Sequence, residues 1–164
     1  MHDEKEYIPY MRKMIGHKRM ISIGLSCVII NKNNEVLLEK RRDNGLYCLP
    51  GGSIDFDETV KEGTIREVKE ETGLDINDLN LLMILSGKKE ELIYPNGDVT
   101  DYVDFVFYTY CDLDENDLNK KHDDESLSIH FYSLDKLPKV DEMLRGTYKP
   151  LSKIINKDFE LEID

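Results

Sequence analysis

Apolar and polar positions along the chain fall into short, distinct patterns. From Lys5 to Ile15 the apolar residues are Ile8, Met11, Met14 and Ile15, a spacing that predicts a short amphipathic helix. Ile21 to Ile30 is dense in Ile, Val and Leu and reads as a buried strand. Asn31 to Asn34 is a turn, because Asn tolerates positive φ, and Val36 to Glu39 returns as the second arm of a hairpin. Leu49-Pro50-Gly51-Gly52 is a cluster of breakers and predicts a loop. A helix follows from about Glu58 to Thr72, with Asp55 or Asp57 placed to cap its start and Gly73 placed to end it. Strands are expected at Leu79 to Ser86, Tyr102 to Cys111 and Leu127 to Ser133. A turn lies at Tyr94 to Asp98, a polar acidic loop at Asp112 to Glu125, and a closing helix at Pro150 to Lys157. Strands, a central helix, more strands and a late helix make an α/β or α+β layered domain.

The length of 164 residues suits one domain spanning the whole chain. Residues 1 to 17 read as a helical N-terminal extension and 139 to 164 as a helical C-terminal segment. A formal net charge of −12 disfavours broad binding of nucleic acid, so an anion handled here needs a local cation. Met1 to Met14 is charged throughout, without the apolar centre of a signal peptide, and no apolar run has the length of a membrane span. The expected location is the cytoplasm. Cys27, Cys48 and Cys111 form no CxxC pair and read as small buried side chains rather than a disulfide or zinc framework. His2, His17, His122 and His130 show no metal-ligand spacing.

The central helix carries the candidate chemistry. Glu67, Glu70 and Glu71 lie at i, i+3 and i+4, on one helix face. On spacing alone a solvated Glu-rich face accounts for them. Like charges so placed repel one another, and a hard dication with oxygen ligands, Mg²⁺ or Mn²⁺, turns the repulsion into attraction. The glycines Gly51 and Gly52 let bare backbone come close to a ligand, and Glu58 and Arg66 sit where they can brace that loop against the helix.

From Gly52 to Leu74 the chain reads GSIDFDETVKEGTIREVKEETGL. This resembles the Nudix box, with Gly52, Glu58, Arg66, Glu67, Val68, Glu70, Glu71, Gly73 and Leu74 at its fixed positions. From ordinary residue frequencies, a chance match has odds on the order of one in a million. Leu37 to Arg42 followed by Leu49 to Gly52 is similar to the entry to the box. IHFYSLDKLP, from Ile129 to Pro138, resembles the family's late strand and short helix. The resemblance covers roughly residues 21 to 138 and implies an α/β/α sandwich around a mixed β-sheet.

It also implies hydrolysis of a nucleoside diphosphate linked to another group, with Mg²⁺ or Mn²⁺ as cofactor. Glu67, Glu70 and Glu71, with the carbonyl of Gly51, would be the metal ligands, and Glu58 would be oriented by Arg66. Glu67 is the first candidate for the general base. The alternative is an acid of the Asp123-Asp124-Glu125 loop, with Glu125 also a candidate ligand. Arg41 or Arg42 could reach substrate phosphate, and Tyr47 could stack on a base. Tyr94, Tyr102 and Tyr108 are more readily core than platform.

The proline that ADP-ribose hydrolases of the family tend to carry downstream of the box is Lys89 here, with Pro95 too late, and Tyr94 is too late for the dinucleoside polyphosphate marker. The substrate set stays at a small-molecule nucleotide, either a nucleoside triphosphate or a nucleotide sugar. Dimers are frequent in the family. The rival readings are a non-catalytic regulatory nucleotide-binding domain and an RNA 5′-end pyrophosphohydrolase. The charge of −12 weighs against the second of these.

Overall fold

The computed structural model describes residues 6–118 and 125–164. Among the described residues, nine strands form one mixed sheet flanked by helices. The strands are β1 (Met20–Asn31), β2 (Glu35–Arg41), β3 (Tyr47–Cys48), β4 (Gly51–Ser53), β5 (Asn80–Leu85), β6 (Glu91–Ile93), β7 (Val99–Cys111), β8 (Ser126–Ser133) and β9 (Glu162–Ile163). The helices are α1 (Tyr7–Ile15), α2 (Val60–Thr72) and α3 (Tyr148–Ile155). The main path runs β3-β2-β1-β7-β5-β9, with β4 also paired to β1, β6 to β7 and β8 to β2.

The apolar run in β1 is explained by its place at the centre. It pairs in parallel with β7 from Met20↔Thr100 to Asn31↔Cys111 and is covered on both faces. Alternation sends Val28 and Ile30 into one core layer with Leu82, Leu85, Leu151 and Ile154, on the α3 side. Cys27 and Ile29 go to the other, with Val68, Leu74 and Phe107, on the α2 side. This is the expected α/β/α arrangement. Among the described residues no helix is long and apolar enough to cross a membrane.

Local chemistry moves several expected boundaries. Neither Asp55 nor Asp57 caps α2. Thr59 does, in a reciprocal box in which Glu62 N donates to Thr59 Oγ1 at 3.2 Å and Thr59 N donates to Glu62 Oε2 at 2.8 Å. Gly73 ends the helix as expected, at φ 78° with its N–H on Lys69 O. The expected Leu49 to Gly52 loop is half strand, because Gly51, Gly52 and Ser53 pair with Ser26, Leu25 and Gly24. The short helix expected within Ile129 to Pro138 is a turn after β8, and a single 3-10 turn follows at Val140–Glu142. Helix α3 starts at Tyr148, before Pro150, which its first turn tolerates. Cys27 and Cys48 are buried, whereas Cys111 is only partly so. The short strands β3, β6 and β9 had no counterpart in the sequence reading, since two or three residues carry no alternation.

Candidate active site

A cleft of about 550 Å³ opens between α2, β1, β4 and the β6–β7 hairpin. Its floor is the glycine bend. A Cβ on Gly51 would stand 1.9 Å from Leu25 O, so no other residue fits where β4 meets β1. A Cβ on Gly52 would stand 2.5 Å from Glu67 Cδ, so the bare backbone makes the space that the Glu67 carboxylate occupies.

Helix α2 presents the acids to this bend. Gly51 N donates to Glu71 Oε2 at 2.8 Å. Arg66 Nη1 donates to Glu67 Oε1 at 2.8 Å and to Glu70 Oε2 at 3.4 Å. Glu67 is well covered, and burial, outweighing the nearby Arg66, pushes its carboxyl up to about 7. Glu70 lies near the rim and is exposed.

Arg66 is clamped in turn. Its Nε and Nη2 donate to Glu58 Oε2 and Oε1 at 3.0 and 2.7 Å, and Nη2 also donates to Ser53 O at 3.1 Å. Asp55 N donates to Glu58 Oε1 at 2.8 Å, which ties the loop before α2 to the same brace. The Arg66 hydrogen bonds hold Glu58 below the usual carboxylate range. Gly63 lets this packing happen, since a Cβ there would meet Glu58 Oε1 at 2.5 Å and Leu25 Cδ1 at 2.6 Å.

Of the other expected site residues, Arg41 and Glu125 line the cleft, whereas Arg42 and Tyr47 are not part of its lining. Arg42 Nη2 donates to Ser126 O at 3.1 Å. The Tyr47 ring packs edge-on against Tyr132 and beneath Lys40 Nζ, at the α3-side core. The stacking role expected for Tyr47 is therefore not supported by its place, and of the two arginines only Arg41 faces the cleft. Asp123 and Asp124 lie outside the described residues.

Tyr94 and Tyr102, expected as core rather than platform, line the cleft instead, with their hydroxyls bonded to each other at 2.6 Å. Asp104, Glu90 and Arg145, which carry no signal in the sequence, line it with them. Helix α1 closes one end. Arg12 joins it to Asp98 at 3.2 Å and to Thr100 Oγ1 at 3.1 Å, and Tyr7 N donates to Asp55 Oδ1 at 2.9 Å.

Ten acidic side chains line the cleft among the described residues. Its arginines Arg12, Arg41, Arg66 and Arg145 are each paired with a carboxylate, Asp98, Asp43, Glu58 and Glu90 respectively. Such a cavity disfavours a bare polyanion. The donor chemistry suits a hard dication, with carboxylate oxygens of Glu67, Glu70 and Glu71 on one helix face beside a glycine bend. In the present rotamers these carboxylates turn toward Arg66 and the Gly51 amide. Among the described residues no three acidic, His or Cys side chains converge on one point.

The NUDIX domain family model matches residues 20–153. A curated relative, the ADP-ribose pyrophosphatase of Methanocaldococcus jannaschii, is 37% identical over 115 residues, which cover 68% of this chain and 62% of the relative. The match therefore spans less than two thirds of that relative's length. An ADP-ribose pyrophosphatase structure from Streptococcus suis superposes with a TM-score of 0.60 at 26% identity, over 87% of this chain and 98% of that one. A MutT NUDIX hydrolase structure from Burkholderia pseudomallei superposes with a TM-score of 0.62 at 23% identity, over 82% of this chain and 98% of that one. This last likeness bears on the fold alone.

Proposed function

The chain belongs to the Nudix family, and from that premise we propose that it is a dication-dependent pyrophosphohydrolase that opens the phosphoanhydride of a nucleoside diphosphate linked to a further group. The observation that carries this reading is the pairing of a three-carboxylate helix face with a glycine bend, inside a cleft whose arginines are already neutralised.

Glu67, Glu70 and Glu71, with backbone oxygen at Gly51, would hold Mg²⁺ or Mn²⁺. The dication would supply charge neutralisation at the phosphate oxygens and a more acidic attacking water. The chain's own residues do the rest. The Glu58–Arg66 brace fixes α2 against the loop at Ser53 and Asp55, so the acids are held in position before substrate arrives. Glu67, covered and beside Gly52, is our first candidate for the group that takes the proton of the attacking water. Arg41 enters the cleft already oriented by Asp43, through Nε–Oδ1 at 2.9 Å and Nη2–Oδ2 at 2.7 Å, and would offer its other N–H donors to the substrate's phosphates.

ADP-ribose is the first candidate substrate, because the archaeal relative and the streptococcal structure are both ADP-ribose pyrophosphatases. The cavity volume of about 550 Å³ suits a ligand of nucleotide size. The test is a panel of ADP-ribose, nucleoside triphosphates, nucleotide sugars and 5′-triphosphorylated RNA, run with and without Mg²⁺, with product identification. The expected result is AMP and ribose 5-phosphate from ADP-ribose, only when the dication is present. Turnover of none of the panel would refute the reading, and turnover of the RNA alone would replace it.

A further inference from the structure

Facing α2 across the cleft is a polar wall that the phosphoanhydride chemistry does not use. Asp104 of β7 lies in it, paired in register with Gly24 of β1. A Cβ on Gly24 would stand 2.7 Å from Asp104 Oδ1 and 3.1 Å from the Tyr102 ring, so the carboxylate has room only because its neighbour is bare. Ser26 Oγ donates to Asp104 Oδ2 at 3.0 Å, and Asp104 forms no salt bridge among the described residues. A carboxylate has acceptor sites for more than one such donor. Burial pushes Asp104 up to about 6, so holding a charge there is costly.

Beside it, Arg145 Nη1 donates to Glu90 at 2.9 Å, while Arg145 Nε is buried with no hydrogen-bond partner among the described residues. At Asp104 the wall thus offers an acceptor with spare capacity, while the charge of Arg145 is balanced by Glu90. A phosphate oxygen is repelled by the Asp104 carboxylate, whereas a neutral group carrying O–H or N–H gains a hydrogen bond there.

We propose that Asp104 binds the nucleoside half of the substrate by accepting a hydrogen bond from a neutral donor, a ribose hydroxyl or an exocyclic amine, and thereby sets which end of the substrate faces α2. The proposal rests on the hydrolase reading for the identity of the substrate. It goes beyond that reading in assigning a specificity residue outside the box. A carboxylate is well suited to this task, since acidic side chains accept from ribose hydroxyls and from base amines in other nucleotide sites.

Asp104→Asn keeps the shape of the side chain and an oxygen for Ser26, and it removes a desolvated charge, so the variant is expected to fold. Turnover is measured on ADP-ribose, its 2′-deoxy form and its inosine counterpart. Binding of AMP, 2′-deoxy-AMP and IMP is measured by calorimetry, which does not depend on turnover. The variant is expected to raise KM for ADP-ribose and weaken AMP binding by about 10- to 100-fold, with the penalty disappearing for the one analogue that lacks the donor. The wild type should itself prefer AMP to that analogue by about tenfold or more.

Equal effects on all three ligands would overturn the proposal. So would a wild type that binds the three monophosphates alike or binds none of them. If the wild type hydrolyses nothing yet Asp104→Asn weakens AMP binding selectively, the hydrolase reading fails and the proposal stands. If turnover is robust and Asp104→Asn changes neither KM nor selectivity, the hydrolase reading stands and the proposal falls.

Discussion

The two walls of the cleft are built in opposite ways. The α2 wall comes from one stretch of chain, in which Gly51 and Gly52 of β4, Glu58 of the following loop, and Arg66, Glu67, Glu70 and Glu71 of α2 follow one another in sequence. The facing wall is drawn from β1, the turn before β6, the β6–β7 hairpin, β7 and the segment before α3, so Ser26, Glu90, Tyr94, Asp104 and Arg145 meet only in the folded state. The first wall holds charge together by local geometry. The second holds it by strand register, as in the placement of Asp104 opposite Gly24. A contiguous wall of this kind suits a chemical step common to many substrates, and a dispersed one can be altered residue by residue without disturbing the helix.

The largest expected effect lies on the contiguous wall. Glu70 is exposed, so Glu70→Gln should change stability by no more than about 0.5 kcal/mol while lowering kcat by about 100- to 1000-fold. Steady-state kinetics beside a thermal melt checks both halves, and near-normal turnover would remove Glu70 from the site. At Gly51 the expected damage is structural. The Cβ of Gly51→Ala would fall 1.9 Å from Leu25 O, so β4 cannot keep its pairing, and a loss of about 2–4 kcal/mol should appear in denaturant unfolding.

A smaller effect separates two neighbouring arginines. Arg41→Ala should raise KM about tenfold, because Arg41 lines the cleft, whereas Arg42→Ala should leave KM within about twofold. Equal effects would show that the cleft extends past β2.

The smallest effect concerns the facing wall and pH. Burial raises Asp104 from 3.8 to about 6 in the folded protein. The stability tied to its protonated form is complete below the unfolded value and is lost as pH rises through about 6. Asp104→Asn does not suffer that loss. Its melting temperature relative to the wild type should therefore increase between pH 5 and pH 7, by an amount worth about 1 kcal/mol. A constant difference across that range would mean that Asp104 is better solvated than its surroundings suggest.

The difference between the walls also governs what the sequence reveals. Glu67, Glu70 and Glu71 are legible because helical spacing alone puts them on one face, and Gly73 marks where that face ends. The layered fold is legible for a similar reason, since the doubly apolar run in β1 announces a central strand. The cap is less so. Asp55 and Asp57 have the right chemistry, but Thr59 sits three residues before a glutamate that can answer it, and the reciprocal box wins.

Tyr47 has the residue type for stacking on a base, yet its two-residue strand pairs with β2 and turns the ring toward Tyr132. Asp104 and Arg145 carry no local signal at all. Asp104 sits within an aromatic, β-branched strand where one acid reads as a solvent-facing position. Only the parallel pairing with β1 turns it into the cleft beside Gly24. An acid inside a largely apolar strand, opposite a glycine in another, is the one faint trace that sequence reading could have followed.

The central claim is that the acids of α2 and the glycine bend together hold a dication. Mn²⁺ binding, followed by electron paramagnetic resonance on the wild type and on Glu67→Gln and Glu71→Gln, tests it most directly. The account predicts saturable binding by the wild type and a loss of affinity of about tenfold or more in each variant, with folded spectra throughout. Mn²⁺ affinity that is the same in all three proteins would contradict it.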